Sequence, residues 1–395
     1  MLSIRLASYG AAYFFVGGIG LSYWAVWLQS RGVDGAEIGT LYMSRQFVTV
    51  AATLAIGWLA HRLLRQRQLM LALAALAIGT LVALDWAEGF WPLWLGTLVW
   101  GAAWHPLLSL GESVVLSATR RHGLDYGRVR IAGSVTFIGG AVIAGLAVAS
   151  LGVPWVLYLS ILGALLLVPC ILWLPMPPIE APATRAAPPV AARDLLRQPA
   201  FLLFLAAAGC TQASHAVIYS FGTIAWRGAG IADSVISLLW AEGIVAEIVL
   251  FFFAAALTAR LGAVGLLLLG ASGAVLRWVL MPYVGVSVPA LFILQALHAL
   301  TFGATHLGAM AFLQRAVPAS AMTLAQSLYY ALASGLPVAL VYQLAGVLYE
   351  RAGASAYLAM AALAAIGVVA AMALARRWHR GSLVADSHGA ATASG

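Results

Sequence analysis

Lysine is absent from this chain of 395 residues, and all 21 basic side chains are arginines. Charged residues of both signs make up only 9% of the sequence, against 63% hydrophobic residues and a mean hydropathy of +0.96. A soluble protein of this length cannot bury so much apolar surface, because even a large domain leaves about a quarter of its unfolded surface exposed. The scarcity of charge therefore excludes a soluble globular protein and indicates a polytopic membrane protein.

Cysteine is scarce as well, with only Cys170 and Cys210, both in apolar runs. Nothing therefore indicates a disulfide framework or a thiolate metal site. No H-x-x-x-H or C-x-x-C pair stands on an apolar segment, so we expect no metal and no cofactor. The N-terminal segment lacks an A-x-A-like cleavage site after a short apolar stretch, and we interpret it as a retained first span.

Apolar runs of about 20 residues, long enough to cross roughly 30 Å of hydrocarbon as helices, recur along the whole chain. Breaks rich in charge, proline or glycine divide them into twelve predicted spans, which gives an all-α integral membrane fold. The predicted spans are 5–29, 35–60, 69–86, 90–118, 127–150, 154–174, 199–226, 233–257, 264–283, 287–316, 322–350 and 353–376.

Residues 175–198 differ from the spans on either side. They are rich in proline and alanine, which cannot sustain a spanning helix. We therefore predict a six-helix half at 1–174, a cytoplasmic linker at 175–198 and a second six-helix half at 199–376. A disordered cytoplasmic tail is predicted at 377–395.

Arginine placement predicts the topology. With the N-terminus inside, 16 of the 21 arginines fall in cytoplasmic segments and only three on the opposite side. Because arginine-rich loops stay in the cytoplasm, both termini are predicted there. The net charge of +8 does not indicate a nucleic-acid partner, since the basic residues scatter among loops instead of forming one face. We expect a monomer within the lipid bilayer.

Ionisable residues inside the spans are the candidates for function, because a charge at the bilayer centre costs at least ~2.5–3.5 kcal/mol. The alternative for each is an interhelical hydrogen bond without a transport role. They are Arg45, His105, Glu112, His215, Glu242, Glu247, Arg277, His298 and His306.

Helical rotation of about 100° per residue relates these candidates to one another. It places His105 and Glu112 on one helix face. Glu242 and Glu247 diverge by about 140°, so at most one of them is expected to face a central cavity squarely. His298 diverges from His306 by about 80°, which still allows both to border one cavity.

Two glycines, Gly127 and Gly133, flank the sequence R-V-R-I-A at the start of the fifth span. A glycine-rich helix entry can cradle phosphate, but no strand precedes this one and no G-K-[ST] is present. We therefore expect close helix packing at these glycines and no bound nucleotide.

Six spans, a cytoplasmic linker and six spans within 400 residues resemble the major facilitator superfamily. In that superfamily two six-helix halves rock about a site near the membrane midplane. Short motifs resemble the bacterial 3-phenylpropionate permease group more specifically. They are Y-W-A-V-W-L at 23–28, P-L-L-S-L-G-E at 106–112, L-D-Y-G-R-V-R at 124–130, L-R-W at 276–278 and T-H-L at 305–307.

A more distant similarity links the chain to the lactose permease-like oligosaccharide:proton symporters. Those proteins have a glutamate in span four and, eighteen residues later, the second arginine of a G-R-x-R motif. Glu112 and Arg130 stand in this relation. The resemblance implies that they form a substrate-binding pair, with Phe137 as the aromatic ring on which the substrate stacks. Further matches to the span-nine arginine and the span-ten histidine fall at Arg277 and His298.

The chain also departs from those symporters. Thr301 stands where they carry a span-ten glutamate, and neither the span-seven acids nor any lysine is present. Joint loss of both partners fits the energetics of buried ion pairs, since losing one alone would strand the other. Our hypothesis is that Glu247 or Glu242 carries the proton, with Arg277 and His298 tuning its proton affinity. A histidine near neutrality, His298 or His306, can relay the proton.

The expected function is proton-coupled import of a small organic solute, most of all an aromatic carboxylate. Arg130 or Arg277 offers a planar partner for the carboxylate, and Trp24, Trp104 and Phe137 can hold the ring. Many of the 14 tryptophans are instead expected at the membrane interfaces.

Other functions stay open at this point. A proton symporter for sugars or nucleosides, or a drug-efflux antiporter of the same fold, would have a similar sequence pattern. The superfamily's usual signature between spans two and three is degraded here to G-W-L-A-H-R-L-L-R-Q at 57–66. A polytopic membrane enzyme is less favoured, because the ionisable residues spread over both halves instead of clustering near one interface.

Overall fold

The structure, a computed structural model, describes residues 1–63, 65–176, 191–318, 321–379 and 381–384, without the side chains of 61–63. Within these ranges the chain is almost entirely helical and contains no β-strand. Most of the predicted linker, residues 177–190, lies outside the described residues. Residues 385–395 of the predicted tail also lie outside them.

Six uninterrupted helices form the first part of the chain and follow the predicted spans closely. Hydrocarbon offers no partner for a backbone N–H or C=O group, and a continuous helix bonds these groups internally. Spans 1 to 6 are Leu2–Ser30, Gly35–Leu63, Gln66–Leu84, Phe90–Arg121, Tyr126–Leu151 and Trp155–Trp173.

The remaining six spans follow a short helix at Ala192–Leu196 and are less regular. Wide, π-helical turns at Ala299–Ala304 and Tyr330–Gly335 interrupt spans 10 and 11. Spans 7 to 12 are, in order, Pro199–Ala213 with Ala216–Gly228; Asp233–Phe252; Ala254–Leu280; Val288–Ala296 with Thr305–Ala316; Met322–Tyr329 with Leu336–Ala352; and Ala356–Arg377.

Span 9 begins earlier than the sequence predicts. Span 8 ends at Phe252, before the predicted residue 257, and the next helix starts at Ala254. The chain then turns at Gly262, whose φ of +66° is a backbone conformation that only glycine adopts at little cost. The predicted start at residue 264 therefore marks the straight part of the helix after this turn.

Nine helical stretches of the described chain are long and apolar enough to cross a membrane, by length and composition. One of them, Met322–Arg377, contains both span 11 and span 12. Spans 2 and 4 exceed the needed length, with 29 and 32 residues, but are less apolar. Together these stretches account for all twelve predicted spans.

The chain divides into two compact units. Unit 1 comprises Met1–Ile179, Ile218–Glu242 and Tyr342–Gly353, and unit 2 comprises Glu180–Val217, Gly243–Val341 and Ala354–Gly395. In unit 1, span 1 packs most extensively on span 5, and span 4 packs on spans 2 and 3. In unit 2, span 9 packs on spans 10 and 12, and span 12 also packs on the first piece of span 7.

Unit 1 includes the ends of spans 7, 8 and 11, which are held by direct contacts with spans 1 and 2. The Tyr23 hydroxyl donates to the Asp233 carbonyl oxygen at 2.8 Å. Gly39 faces Gly346 so closely that a Cβ on Gly39 would lie 2.7 Å from the Tyr342 carbonyl oxygen. Small residues therefore bring the backbones of spans 2 and 11 into contact, as is typical of packed membrane helices.

Ordered chain continues past span 12 into the predicted tail. The Trp378 ring lies 4.6 Å from the Phe312 ring, centroid to centroid, and its indole N–H donates to the Gly381 carbonyl oxygen. The backbone N–H of Leu383 donates to the Ala316 carbonyl oxygen at 2.8 Å. These contacts attach Trp378 and Leu383 to span 10 and to the residue where it ends, within unit 2.

Spans 1 and 5 cross at two reciprocal glycine contacts. A Cβ on Gly18 would collide with the carbonyl oxygen of Phe137, and a Cβ on Gly140 would collide with that of Phe15. The two backbones therefore touch, which fixes the Phe137 ring against span 1. By contrast, the neighbouring Gly139 has no atom within 4 Å of the position its Cβ would take.

Gly140→Ala should lower the free energy of unfolding by about 1–3 kcal/mol, because the added methyl group must push span 5 away from span 1. Gly139→Ala is the matched control on the same helix and should change stability by no more than about 1 kcal/mol. Thermal unfolding of the purified variants in detergent micelles measures both. Equal stability of the two variants would contradict the close crossing.

Candidate functional site

The predicted pair Glu112 and Arg130 is brought together by spans 4 and 5 in unit 1. Arg130 Nε lies 3.4 Å from Glu112 Oε1, and both side chains are partly exposed. The Tyr126 hydroxyl donates to Glu112 Oε2 at 2.6 Å. Both carboxylate oxygens of Glu112 are therefore engaged, one by a cation and the other by a phenol.

Span 5 positions Arg130 through its first turns. The Asp125 carboxylate caps the helix by accepting from the backbone N–H groups of Gly127 and Arg128 at 2.8 and 3.3 Å. The Arg130 guanidinium then stacks on the Phe14 ring, 4.1 Å from its centroid. A Cβ on Gly133 would lie 2.7 Å from this ring, so the glycine leaves room for the stack.

A second feature of unit 1 is a cavity of about 250 Å³ with a mainly aromatic wall. It contains two of the predicted ring-holding residues, Trp104 and Phe137. Spans 1, 2, 4, 5, 7 and 11 all contribute to it. The lining residues are Tyr13, Val16, Gly17, Gly20, Leu21, Tyr42, Arg45, Trp100, Trp104, His105, Phe137, Tyr219 and Tyr342.

Arg45 is the cation of this cavity. Its guanidinium carbon lies 5.0 Å from the centroid of Tyr42 and 5.9 Å from that of Trp100. Among the residues that the structure describes, no carboxylate forms an ion pair with it. The sequence identified Arg45 as an intramembrane charge but assigned it no role.

His105 adds a second polar group to the same wall. Its Nδ1 lies 3.3 Å from the Gly101 carbonyl oxygen. Because a carbonyl oxygen can only accept, Nδ1 carries the hydrogen in this bond, and Nε2 of the neutral ring remains an acceptor. Glu112, predicted on the same helix face as His105, does not line this cavity.

Aromatic rings connect the cavity with the Glu112–Arg130 pair. Tyr13 lines both the cavity and the narrow crevice that contains the pair. Its ring stacks on Trp104 at 5.0 Å and meets Phe14 edge to face at 5.4 Å. Since Phe14 lies under Arg130, a continuous series of rings runs from Trp104 to the guanidinium.

Trp24, the third predicted ring-holding residue, lies behind the cavity wall. It is 1% exposed and stacks on Trp27 and Trp100 at 4.8 and 4.9 Å. The cavity lining includes Trp100 and not Trp24. Trp24 therefore supports the ring that faces the cavity.

Unit 2 contains a buried polar cluster centred on Thr301. His215 Nε2 lies 2.9 Å from Thr301 Oγ1, and Arg277 Nη1 donates to the same oxygen at 3.3 Å. Since His215 Nδ1 faces two carbonyl oxygens, it carries the hydrogen, and Nε2 accepts from the Thr301 hydroxyl. Arg277, 1% exposed, also donates to Gln295.

Glu247 belongs to unit 2 and lies beside His298, with 3.6 Å between Oε2 and Nε2. The rings of His298, Phe302 and His306 stack in series at 5.3 and 6.2 Å. The wide turn of span 10 adds a residue to the helical repeat, which brings these three rings onto one face. Glu242 lies five residues earlier on span 8, within unit 1.

The structure thus brings most of the predicted site residues into two groups. Unit 1 joins Glu112 with Arg130 and places Trp104 and Phe137 around one cavity. Unit 2 pairs Glu247 with His298, stacks His298 on Phe302 and His306, and bonds Arg277 to Thr301. Sequence reasoning missed the cavity residues Tyr13, Tyr42, Trp100, Tyr219 and Tyr342, although their bulk at mid-span positions was the available signal.

Twelve spans with polar clusters inside the membrane define a multi-pass transporter of the major facilitator type. Comparison with known proteins supports this class of transporter. A family profile described as "MFS_1 like family" matches residues 6–360, and the chain belongs to this family. The resemblance found in the sequence is therefore confirmed, and the protein is a transporter and not an enzyme.

One curated relative and two solved structures illustrate the similarity. A protein of Escherichia coli (strain K12) named "Probable 3-phenylpropionic acid transporter" is 32% identical over 360 residues, covering 89% of this chain and 92% of the relative. A mutant of the nucleoside transporter NupG superimposes with a TM-score of 0.83 at 18% identity, covering 96% and 100%. An auto inhibited POT family peptide transporter gives 0.70 at 15% identity, covering 96% and 97%.

Thr301→Val should lower the free energy of unfolding by about 1–2 kcal/mol, because it removes a hydroxyl that bonds both Arg277 and His215 in a buried site. Thr301→Ser keeps the hydroxyl and is the matched control. Unfolding of purified variants in detergent, followed by near-ultraviolet circular dichroism, measures the effect. Loss of stability in Thr301→Ser together with none in Thr301→Val would show that the methyl group, and not the hydroxyl, matters.

Proposed function

We propose that the protein imports a small aromatic carboxylate together with protons. The observation that carries this proposal is the aromatic cavity of unit 1, which is of a size for one ring and contains a cation. At about 250 Å³ it lies near the lower end of small-molecule pockets, roughly 300–1,000 Å³. The name of the Escherichia coli relative, which describes a probable transporter of an aromatic acid, agrees with this chemistry.

Within the cavity, Trp104 and Phe137 hold the ring of the solute, and Trp24 fixes Trp100 from behind. Aromatic side chains suit this role because stacked or edge-to-face rings add about 0.5–1.5 kcal/mol to simple burial. The Glu112–Arg130 pair takes part in binding through the ring series that ends at Phe14.

Protons are carried by Glu247 and His298 in unit 2. The 3.6 Å separation lets one proton be held between a carboxylate and an imidazole. Thr301, which bonds both Arg277 and His215, keeps His215 beside His298. The ring centroids of His215 and His298 lie 5.8 Å apart. His306 extends the stack of rings beyond Phe302. Glu242 is the alternative carrier. Because Thr301 is neutral, the carboxylate of Glu247 has no competing acid at that position of span 10.

The arginine asymmetry supports placement in a bacterial inner membrane with both termini in the cytoplasm. We propose a monomer of two six-helix halves, 1–174 and 199–376, joined by the linker 175–198. A nucleoside or sugar symporter and a drug antiporter remain the competing functions. Likeness to NupG at 18% identity concerns the fold alone and does not favour a nucleoside.

Uptake into proteoliposomes tests the function directly. With an acidic exterior, the purified protein should accumulate labelled 3-phenylpropionate faster than protein-free liposomes, which correct for passive entry of the neutral acid. Labelled uridine and lactose should not accumulate, and a protonophore should abolish the protein-dependent part. Protein-dependent accumulation of uridine or lactose, or expulsion of a cationic dye in its place, would contradict the proposal.

Glu247→Gln should abolish accumulation driven by the pH gradient while sparing exchange of labelled for unlabelled solute at equal pH. The amide keeps the size of the side chain but cannot take up a proton. Glu88→Gln, an exposed loop residue, is the control and should transport like the unmodified protein. Uphill accumulation by the Glu247 variant would move the carrier role to Glu242.

A further inference from the structure

We propose that Arg45 binds the carboxylate of the solute in the unit 1 cavity and thereby selects acids over uncharged aromatic molecules. The proposal rests on the function above, because it names the group that holds the acid. It assigns the charge-recognition step to span 2, where neither the motifs nor the family resemblance placed a binding residue.

The first argument is the cost of this charge. Arg45 lies ten residues into span 2, about 15 Å along the helix, which is well inside the membrane. A guanidinium there is costly unless its charge is compensated. Its contacts with the Tyr42 and Trp100 rings offset part of this cost but bring no counter-charge. An anion in the cavity would supply one.

The second argument is a donor without an acceptor. Trp100 lines the cavity and is 3% exposed, and its indole N–H has no hydrogen-bond partner within the described chain. Most buried N–H groups are bonded, so this one calls for an acceptor. An indole N–H and a guanidinium can only donate, and a carboxylate can only accept. The guanidinium therefore suits an anionic oxygen in the cavity, while the Trp100 N–H, enclosed like those of Trp24 and Trp27, lacks an acceptor in the wall.

The third argument is the way span 4 makes room for Arg45. A Cβ on Gly101 would lie 2.8 Å from Arg45 Cγ and 3.6 Å from its Cδ. The aliphatic stem therefore crosses span 4 over a glycine, and its head group remains at the Trp100 side. Any larger residue at 101 must displace the stem.

The predicted alternative, Arg130, is already paired. Its Nε faces Glu112 at 3.4 Å, and the crevice around that pair is narrower than the cavity. A solute carboxylate at Arg130 would have to displace Glu112 and leave that carboxylate without its cation. Arg45 has no such competitor among the described residues, so the geometry favours it for the carboxylate.

Binding to the purified protein in detergent, without any gradient, tests the proposal. The probes are 3-phenylpropionate and 3-phenylpropan-1-ol, which share the ring and chain but differ in charge, measured by isothermal titration calorimetry. Arg45→Gln should weaken binding of the acid at least tenfold and leave that of the alcohol within about twofold. Arg45→Lys should lose less, because it keeps the charge but not the planar fork.

Gly101→Ala is a second, independent variant that leaves Arg45 in the sequence. It should weaken binding of the acid severalfold and spare the alcohol, while Gly139→Ala, which has open space around it, should change neither. Size-exclusion chromatography and retained alcohol binding report that each variant is folded. If Arg45→Gln does not fold, the Arg45→Lys and Gly101→Ala variants carry the test.

Three results would overturn the proposal. They are equal affinity of the unmodified protein for acid and alcohol, unchanged acid affinity in Arg45→Gln, and loss of acid preference in Arg130→Gln but not in Arg45→Gln. None of these results bears on proton-coupled uptake, which the proteoliposome assay measures separately. Conversely, an acid-selective Arg45 site in a protein that shows no gradient-driven uptake would contradict the proposed import but not the proposed site.

Discussion

The free energy of moving a charge from water into hydrocarbon is the constraint on which this structure depends. It explains why only 9% of the residues are charged and why the charges inside the spans have dedicated surroundings. Arg277 is buried but bonds Thr301 and Gln295, and Glu112 bonds Arg130. Each charge inside the spans therefore identifies a place where spans must meet in one arrangement, and the cavity of unit 1 and the polar cluster of unit 2 form at these places.

The spans could be predicted from the sequence because hydrocarbon imposes a length and an apolar composition on every crossing helix. The interruptions within the helices could not be predicted in this way. Span 7 breaks at Ser214–His215 and span 10 widens at Ala299–Ala304. These breaks coincide with the His215–Thr301 hydrogen bond, which joins residues 86 positions apart. Such a bond depends on which helices are neighbours, and hydropathy carries no information about that.

The candidate site was partly predictable for a similar reason. A spacing of eighteen residues across one loop brought Glu112 and Arg130 together as the family pattern implied. Arg45 was identified as costly but received no role, because its cavity is assembled from six spans distributed over the chain. Trp24 resembles Trp100 in type and in burial, and only the packing decides which of them faces the cavity and which lies behind it.

The guanidinium of Arg45 makes an empty cavity positive, and a cavity that holds a monoanion is neutral. A membrane potential contributes about 2.3 kcal/mol per elementary charge for every 100 mV crossed. A solute anion that enters with one proton leaves the net charge of the carrier unchanged, so we expect the electric field to act alike on the unloaded and the loaded carrier. Only an excess of protons over solute would make import depend on voltage.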